Sequence, residues 1–477
     1  MQHRRIPIAL SIVILAVLGV GVWQWWQWLH PHIALDPQAK INMERTYLLD
    51  VWVEMADSIV EPPSLEDQFW SDLVAEFQSI YPNVHISLVK VAKADLDQRM
   101  QDALAKGRPP HILVASSKWF RLWSDLQLPI DRFMSETERQ QVFPFALARV
   151  MVGENLMAWP CQIQPNLWAG SRPRLKQLAG EEALLHAVLG EGGNWFLDDW
   201  QNLRDRLKPL RDLRQYPIAH QQGASETLLD VLVAASQGVV GQNGELLLRA
   251  ELVGKVLNEW QMMQSEKFML LTQGSLLTDF LSGKRAMIGP VGLWFWSLGE
   301  KAKRRANWAL KIPQDLVLLS GPGWSGSGGY MSGKMVDIAV FRHRRFQGQA
   351  HARLSMEFAK EVSQKLGLEM SRTGLGIPAD RGELDTWQSL VGWTPQQRAN
   401  LEEVLGLSSG LPPLTAKWHE ARRQLIYRVL KQGLDDFVNG KAGLEIADRL
   451  ETDMRLFLEA IRTPPPKGKR SQTRISP

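Results

Sequence analysis

The residues of this chain best suited to hold a ligand are tryptophans, of which it has 20. An indole has a flat apolar face and a polar edge, so it can stack on a sugar ring or on another planar ligand. Trp70, Trp200 and Trp260 fall on apolar stripes of predicted helices, which favours a place in the core. Five others stand at the ends of predicted elements or in loops and are the candidate ligand platforms: Trp119, Trp294, Trp296, Trp324 and Trp418.

A glycine-rich segment offers a second kind of chemistry. Gly321, Gly323 and Gly326 have the spacing of a dinucleotide-binding loop. Such a loop needs a helix after it, so that the helix N-terminus faces the pyrophosphate, and here a predicted strand, VDIAV, follows instead. We interpret the segment as a flexible glycine loop and expect no cofactor.

Residues for hydrolysis are present but poorly arranged. The carboxylates of Asp198–Asp199 and of Asp435–Asp436 are adjacent on helical patterns, so each pair diverges by about 100° and cannot flank a glycosidic bond. The single cysteine, Cys161, and the serines have no nucleophile signature, and there is no zinc or calcium motif. We therefore expect neither catalysis nor a metal site.

The composition is that of a globular protein. At 477 residues and 45% hydrophobic content the chain can form two or more lobes. A net charge of +4 arises from 55 Lys+Arg and 51 Asp+Glu, without a basic stripe interleaved with aromatic residues, so nucleic-acid binding is not expected. One cysteine excludes an internal disulfide.

The N-terminal segment predicts a membrane anchor. Two arginines precede an apolar run from Ile6 to about Trp23, which is long enough to cross the core of a bilayer. Tryptophans cluster where this run would meet the interface, and no Lys or Arg follows until Lys40. We expect a retained single-pass anchor in the cell membrane with the body on the extracytoplasmic side. Cleavage near Gly19 is the alternative.

The elements that must position the candidate residues alternate between strand and helix. The order strand, helix, strand, helix, strand is predicted for residues 46–53, 65–81, 84–91, 95–106 and 111–115. Asp95 and Gln98 resemble a capping pair for the second helix. The succession predicts a parallel sheet, in which ligands lie beyond the carboxyl ends of the strands. Trp119, shortly after the third strand, is expected on that rim.

The rest of the chain predicts further helices and a second group of strands. Residues 170–275 have a mostly helical pattern, and a helix beginning near Phe346 is expected to stop at Gly367. Residues 395–462 are predicted to be helical, and the basic, proline-rich residues 463–477 to be disordered. Strands are predicted for the segments RAMIG, NWALKIP and VDIAVF.

The segment TDFLSGKRAMIGPVGLWFW, residues 278–296, joins a helix to an aromatic run. Its pattern predicts a helix over Ser275–Ser282, a left-handed C-cap at Gly283 and a buried strand at Ala286–Ile288. Such a strand would deliver the aromatic residues to the rim of a cleft.

The order of these patterns resembles a known family. Five segments are similar to the extracellular solute-binding proteins of bacterial ABC importers, of the sugar-binding, maltose-binding-protein-like type: FWSDLVAEFQSIYPNVHISLVKV, LAKGRPPHILVASSKWFRLWSDLQLPIDRF, FLSGKRAMIG, GLGIPAD and KWHEARRQLIYRVL. The resemblance covers most of residues 46–460. It departs from the family pattern at Pro110-His111 and in NLWAGSRP, residues 166–173.

The resemblance implies an α/β fold of the two-lobed, periplasmic-binding-protein-like type II, preceded here by one transmembrane helix. It implies that Trp294, or Trp296 close to it, stacks on the ligand, that Trp418 is a second stacking residue, and that Trp119 lies in a first-lobe loop that contacts the ligand. Amide side chains suited to bind hydroxyl groups are Gln162, Gln221 and Gln222.

The predicted organisation follows from the resemblance. Hinge crossings are expected near Trp159–Gln164, at Met331 and at Gly374–Pro378, and the predicted units are an anchor (1–29), a linker (30–45), lobe I (46–160 plus 331–374), lobe II (161–330 plus 375–462) and the tail (463–477). The resemblance implies capture of a carbohydrate or similar polar solute between the lobes, delivery to the permease of an ABC transporter, and no enzymatic activity. Two alternatives are a membrane-anchored sensor or assembly protein that uses the two-lobed fold to bind a protein partner, and a carbohydrate-active enzyme.

Overall fold

The computed structural model describes residues 35–55, 63–116, 126–179, 205, 208, 218–220, 224–271, 276–293, 315–319, 333–372, 376–406 and 414–462. The predicted anchor, residues 1–29, and the predicted tail, residues 463–477, lie outside this part of the chain. Among the described residues, no helix is both long enough and apolar enough to cross a bilayer.

The strands of the described part are, in chain order, β1 (Tyr47–Glu54), β2 (Val84–Val91), β3 (Ile112–Ser116), β4 (Gln127–Leu128), β5 (Met151–Val152), β6 (Asn155–Leu156), β7 (Trp159–Pro165), β8 (Leu167–Ser171), β9 (Ile218–His220), β10 (Met269–Leu271), β11 (Met287–Val291), β12 (Leu316–Leu319), β13 (Gly333–Phe341) and β14 (Ile377–Pro378).

The helices of the same part are α1 (Pro63–Ile80), α2 (Lys93–Ala105), α3 (Glu136–Gln141), α4 (Pro144–Val150), α5 (Arg172–Ala179), α6 (Ala224–Ala235), α7 (Ala250–Ser265), α8 (Leu276–Leu281), α9 (Gln349–Arg372), α10 (Leu384–Val391), α11 (Pro395–Gly406), α12 (Ala416–Gln424), α13 (Lys431–Val438) and α14 (Gly443–Arg462). A short 3₁₀ helix, Arg381–Glu383, precedes α10, and a π-helical segment, Leu425–Leu430, joins α12 to α13.

The first sheet has the strand order β14-β7-β13-β3-β1-β2, and β4 pairs with β13. The buried Val51 lies opposite Leu88 of β2 and Ile112 of β3, and both pairings are parallel. Burial alternates along β1, with every second side chain buried, because the sheet is covered unequally on its two faces. The predicted strand-helix-strand-helix-strand order and its parallel sheet are confirmed.

The second sheet has the order β10-β9-β11-β8-β12. Its β9 is parallel to β10 and β11, whereas β8 is antiparallel to β11 and β12. The prediction of a mostly helical segment over residues 170–275 omitted β9 and β10. Each of these strands has three residues, which is too few for an alternating pattern to be visible.

The chain passes between the two sheets with little intervening sequence. β7 ends at Pro165 and β8 begins at Leu167, so one residue, Asn166, separates a strand of the first sheet from a strand of the second. The chain returns between β12 and β13, and β14 pairs with β7 in the first sheet. α11 then packs against β12 of the second sheet. The lobe boundaries themselves stay a prediction.

Two predictions about helix ends are wrong. Asp95 does not cap α2, because the helix begins at Lys93 after Ala92, and the Gln98 side chain donates to Asp102. α9 does not stop at Gly367 but continues to Arg372. A Cβ atom at Gly367 would lie 2.6 Å from the carbonyl oxygen of Cys161, so this glycine allows the helix to approach β7 closely.

The segment from α8 to β11 follows its prediction. Gly283 has a φ of +75°, and its N–H donates to the carbonyl of Phe280. This is a left-handed C-cap after Leu281. β11 is buried along its whole length, so the predicted strand is confirmed and extends to Val291.

Candidate functional site

The carboxyl ends of the parallel strands of the first sheet meet at one edge. Glu54 ends β1 and Ser116 ends β3, and a carboxylate oxygen of Glu54 accepts a hydrogen bond of 2.7 Å from the N–H of Ser116. The Ser116 hydroxyl is buried and has no hydrogen-bond partner among the described residues. In open α/β sheets this edge is where ligands bind. Trp119 follows Ser116 by three residues and lies outside the described part of the chain.

The second sheet has an equivalent edge. His220 ends β9 opposite Gly289 of the parallel strand β11, which ends at Val291. In the sequence, Gln221 and Gln222 come directly after β9, and Trp294 and Trp296 come shortly after β11. The predicted contacts of this lobe therefore follow the carboxyl ends of two paired strands.

Most of the predicted ligand residues, and the glycine loop at 321–326, fall outside the described residues. The predicted residues in this position are Trp119, Trp294, Trp296, Trp324, Gln221 and Gln222. Their contribution to ligand binding stays a prediction.

Gln162 lies at the junction of three strands. In β7 it pairs with Val336 of β13 and with Pro378 of β14, and it is completely buried. Its side-chain oxygen accepts a hydrogen bond of 2.9 Å from Gln164. Its amide nitrogen is buried and has no hydrogen-bond partner within the described ranges. A buried amide donor without an acceptor is costly, so an oxygen of a ligand would be a favourable partner.

The backbone around Gln162 leaves little space. A Cβ atom at Gly376 would lie 2.6 Å from the side-chain carbon Cδ of Gln162 and 2.7 Å from the carbonyl oxygen of Ile163. Only glycine therefore allows the segment before β14 to approach β7. The carbonyl of Gly376 also accepts a hydrogen bond of 3.1 Å from the indole of the buried Trp387. Helix α10 thus holds Gly376, which belongs to the predicted hinge crossing at Gly374–Pro378.

Trp418 lies in the first turn of α12 and is partly buried. A Cβ atom at Gly244 would overlap its indole, so one edge of the ring packs on the Gly244 backbone. The Lys417 ammonium lies 4.8 Å from the ring centroid. The ring is thus in contact with its own lobe, and its predicted stacking on a ligand stays a prediction. By contrast, Trp70 and Trp260 are buried, as their helical pattern predicted.

Asp198 and Asp199 lie outside the described residues, whereas Cys161 and Asp436 can be located in the structure. Burial, and then the charge of Asp337, raises the pKa of the Cys161 thiol, so the sulfur stays protonated and is a poor nucleophile. Asp436 forms ion pairs of 3.0 Å with Lys441 and 2.7 Å with Arg449. Its carboxylate therefore belongs to a charged helix surface.

Sequence reasoning missed a group of three histidines at the opposite edge of the first sheet. The His111 ring stacks on His343 with a centroid distance of 4.2 Å and contacts His351 at 4.4 Å. His111 Nδ1 accepts a hydrogen bond from the backbone N–H of Asp50, and His351 Nε2 lies 2.9 Å from the carbonyl of Leu48. Only the unusual Pro110-His111 pair signalled this group, because the other two histidines are distant in sequence.

The histidine stack is poorly arranged for a metal ion. Nitrogen and oxygen atoms of Asp50, His111 and His343 lie within 4.8 Å of one another. However, the planes of the two stacked rings differ by only 21°, so their in-plane lone pairs do not converge on one point. In addition, two of the ring nitrogens already have hydrogen-bond partners. Gln347 Nε2 lies 3.1 Å from His343 Nδ1, and the N–H of Asp50 donates to His111 Nδ1. The stack is therefore a packing feature beside the hydrophobic core that surrounds the first sheet, here called the first core.

The stack makes the stability of the protein depend on pH. Burial, followed by the proximity of His351 and His343, lowers the pKa of His111 from 6.5 to about 3. Below pH 6.5 the unfolded chain binds a proton that the folded chain does not bind until about pH 3. We therefore expect the free energy of unfolding to fall as the pH decreases from 6.5, by up to about 1.4 kcal/mol per pH unit for this residue.

Denaturant unfolding of the full chain at pH 7 and pH 5 measures this effect. The His111→Gln variant keeps an acceptor for the Asp50 N–H but has no titratable ring, so its loss of stability on acidification should be smaller than that of the parent chain. His85→Gln, at an exposed position of β2, is the matched control and should leave the pH dependence unchanged. Equal pH dependence in the parent chain and His111→Gln would contradict the prediction.

Comparison with known proteins gives similarity in structure but not in sequence. No family model matches the chain, and no curated protein matches it. The sugar-binding protein MalE of Xanthomonas citri is similar with a TM-score of 0.64 and 14% identity, over 87% of this chain and 98% of that one. The GacH receptor of Streptomyces glaucescens, solved unliganded and with acarbose, is similar with a TM-score of 0.59 and 13% identity, over 87% and 99%.

A third similar structure is the maltotriose-binding protein of Thermus thermophilus bound to maltotriose. Its TM-score is 0.55 at 14% identity, over 87% of this chain and 100% of that one. At such identities the similarity concerns the fold. The chain thus has the mixed α/β, type II periplasmic-binding-protein fold found in the sugar-binding substrate-binding proteins of ABC transporters.

Proposed function

We propose that this protein is a membrane-anchored, extracytoplasmic solute-binding protein that captures a carbohydrate between two lobes and delivers it to an ABC permease. The observation that carries the proposal is the position of the predicted ligand residues. Five of them follow the carboxyl ends of β3, β9 and β11, the edges at which this class of sheet binds ligands: Trp119, Gln221, Gln222, Trp294 and Trp296. The similar structures, which include complexes with acarbose and maltotriose, support a carbohydrate as the ligand.

The proposed binding uses stacking and buried polar groups. Indoles after β3 and β11 would stack on sugar rings, and each such contact contributes about 0.5–1.5 kcal/mol beyond the area buried. The Ser116 hydroxyl and the Gln162 amide are buried polar groups that ligand hydroxyls could satisfy. Ligand contacts from both lobes would favour the closed state over the open state, and the permease would recognise the closed state.

A carbohydrate panel tests the proposal. The full chain is heated with and without maltose, maltotriose, acarbose and a set of unrelated mono- and oligosaccharides, and its melting temperature is recorded. A saturable rise with one class of sugar is expected, because a ligand that binds only the folded state stabilises it. A flat response to all sugars would contradict carbohydrate capture and favour the anchored partner-binding alternative. Release of reducing ends would contradict the absence of catalysis.

Gln162→Leu tests the amide at the strand junction. Leucine has a similar size but cannot form hydrogen bonds, so we expect the affinity for the carbohydrate to fall by about tenfold or more. The substitution removes the acceptor of the Gln164 amide, which is only partly buried, and also a buried donor that has no partner among the described residues. Because these two effects oppose each other, stability should change little.

The matched control is Gln127→Leu. Gln127 is also buried in the first sheet, but it lies in β4 and its amide donates to Met157. This control should leave carbohydrate affinity unchanged even if it lowers stability. An unchanged affinity in Gln162→Leu would remove Gln162 from the proposed site.

A further inference from the structure

Two neighbouring loops form a basic surface on the edge of the first sheet that lies opposite the candidate site. One loop, residues 106–111, precedes β3, and the other, residues 342–348, follows the antiparallel strand β13. The two loops contain five basic residues and no carboxylate. We call the four exposed ones the basic edge: Lys106, Arg108, Arg344 and Arg345. None of these four forms an ion pair within the described part of the chain.

The fold holds the two loops against each other. The N–H of Arg344 donates a hydrogen bond of 2.9 Å to the carbonyl of Gly107. Gly107 has a φ of +68°, and a Cβ atom there would lie 2.8 Å from Cβ of Arg344. His343 Nε2 lies 3.0 Å from the carbonyl of Pro109. The charges are therefore presented by a fixed backbone despite the mutual repulsion of the cations.

The chain enters the fold beside this basic edge. The N–H of Asp36 donates a hydrogen bond of 3.0 Å to the side chain of Gln349, which follows Arg345 by only four residues. Arg132 donates to the carbonyl of Leu35 at 3.1 Å, which fixes the first described residues on the first core. The residues between Trp23 and Leu35 can span at most about 40 Å when fully extended. A bilayer that holds the predicted anchor therefore lies within reach of this surface.

An apolar side chain and an acidic residue lie next to the basic edge. Leu48 is 63% exposed, and its carbonyl lies 2.9 Å from His351 Nε2 of the histidine stack. Asp50 is the acidic residue whose charge acts on both His343 and His351. Asp36, which is exposed where the chain enters the fold, is a second carboxylate nearby, and the four exposed cations outnumber the two. Cations beside an exposed leucine suit the headgroup region of an anionic membrane.

We propose that the basic edge docks on the anionic lipid headgroups of the membrane that carries the anchor. The proposal rests on the anchored protein of the proposed function. Docking turns the carboxyl-end edge of the first sheet away from the bilayer. The candidate site at this edge then faces the solution that contains the solute. Because the Debye length is about 8 Å at physiological salt, the interaction requires close approach and weakens as salt increases. Each basic residue near an anionic surface changes the docking equilibrium by roughly fivefold.

Energy transfer from the protein to labelled lipid tests the docking. The full chain carries Met43→Cys, a position that is 53% exposed, and a donor dye reacts there because the natural Cys161 is only 2% exposed. The protein is reconstituted into vesicles of phosphatidylcholine alone or with about one third phosphatidylglycerol, each with an acceptor-labelled lipid. We expect stronger transfer with phosphatidylglycerol, and loss of the difference in high salt.

Two variants, each of which lacks four basic side chains, show which surface causes the lipid-dependent energy transfer. Replacing all four residues of the basic edge by Gln, at roughly fivefold for each, should lower the ratio of docked to undocked protein by roughly 600-fold and abolish the difference between the lipids. The matched control replaces four exposed basic residues on or between the helices around the second sheet by Gln and should preserve the difference in energy transfer between the two lipids. These residues are Lys255, Lys441, Arg449 and Arg455.

The possible failures are distinguishable. Protein that associates stably with both kinds of vesicle but shows equal transfer in them would overturn the docking and leave the anchor intact. A difference that survives in the variant of the basic edge would also overturn it. Protein that associates with neither kind of vesicle would contradict the anchor and the docking together.

Discussion

Replacing Trp168 by alanine should lower the free energy of unfolding by about 3–5 kcal/mol, the range found for aromatic residues truncated in protein cores. Trp168 lies in β8, an interior strand of the second sheet, and is 1% exposed. Its ring covers Gly289 of the paired strand β11, where any Cβ atom would overlap the indole. The loss would be measured by denaturant unfolding followed by circular dichroism.

The glycine partner supplies the test of this packing. Gly289→Ala alone should destabilise the chain by about 1–3 kcal/mol, because it inserts a methyl group into a filled space. The double variant should lose less than the sum of the two single losses, since truncation of Trp168 creates room for the methyl group. Gly254→Ala in α7 is the control, because its Cβ atom meets only ordinary contacts at 3.4 and 3.9 Å. Strictly additive losses would contradict the packing of Trp168 on Gly289.

Replacing Trp387 by alanine should also cost about 3–5 kcal/mol in unfolding free energy. This residue of α10 is 1% exposed, its ring lies 5.1 Å from that of Trp393, and its indole N–H holds the Gly376 carbonyl. Trp387→Phe keeps most of the apolar contact but loses the hydrogen bond to Gly376. It should therefore lower the free energy of unfolding by about 1 kcal/mol relative to the parent chain. The measurement is again the free energy of unfolding in denaturant.

Leu390 provides the surface control for α10. It lies on the same helix and is 44% exposed, so Leu390→Ala should change stability by less than about 0.5 kcal/mol. A loss in Trp387→Ala no larger than that in Leu390→Ala would contradict the role of Trp387 in fixing the third crossing.

The sequence predicts those parts of the fold in which one local pattern decides the outcome. Strands β1, β2 and β3 and helix α1 are long enough for their periodicity to be read, and Pro82 and Gly283 end helices by simple backbone rules. The prediction that a helix stops at Gly367 is wrong because no local pattern decides the role of this glycine. Its role is set by the carbonyl of Cys161, which is far away in sequence, and not by the helix in which it lies.

The same limit applies to the sites. The order of the elements places Trp119 after β3, and the strand pattern places Trp294 and Trp296 after β11, whereas β9 was not predicted. The role of these residues in ligand binding stays a prediction. The pairing of Glu54 with Ser116 and the isolated amide of Gln162 arise from contacts between distant segments, and no spacing in the sequence signals them. The histidine stack and the basic edge are of the same kind, since each joins residues near 110 to residues near 345.

Calorimetric titration of the full chain with the carbohydrates of the panel tests the central claim most directly. We predict a saturable heat with one binding site per chain, together with a negative heat-capacity change from the surface buried when ligand and lobes come together. Absence of any saturable heat across the panel, for a chain that unfolds cooperatively in the same buffer, would contradict carbohydrate capture while leaving the fold as described.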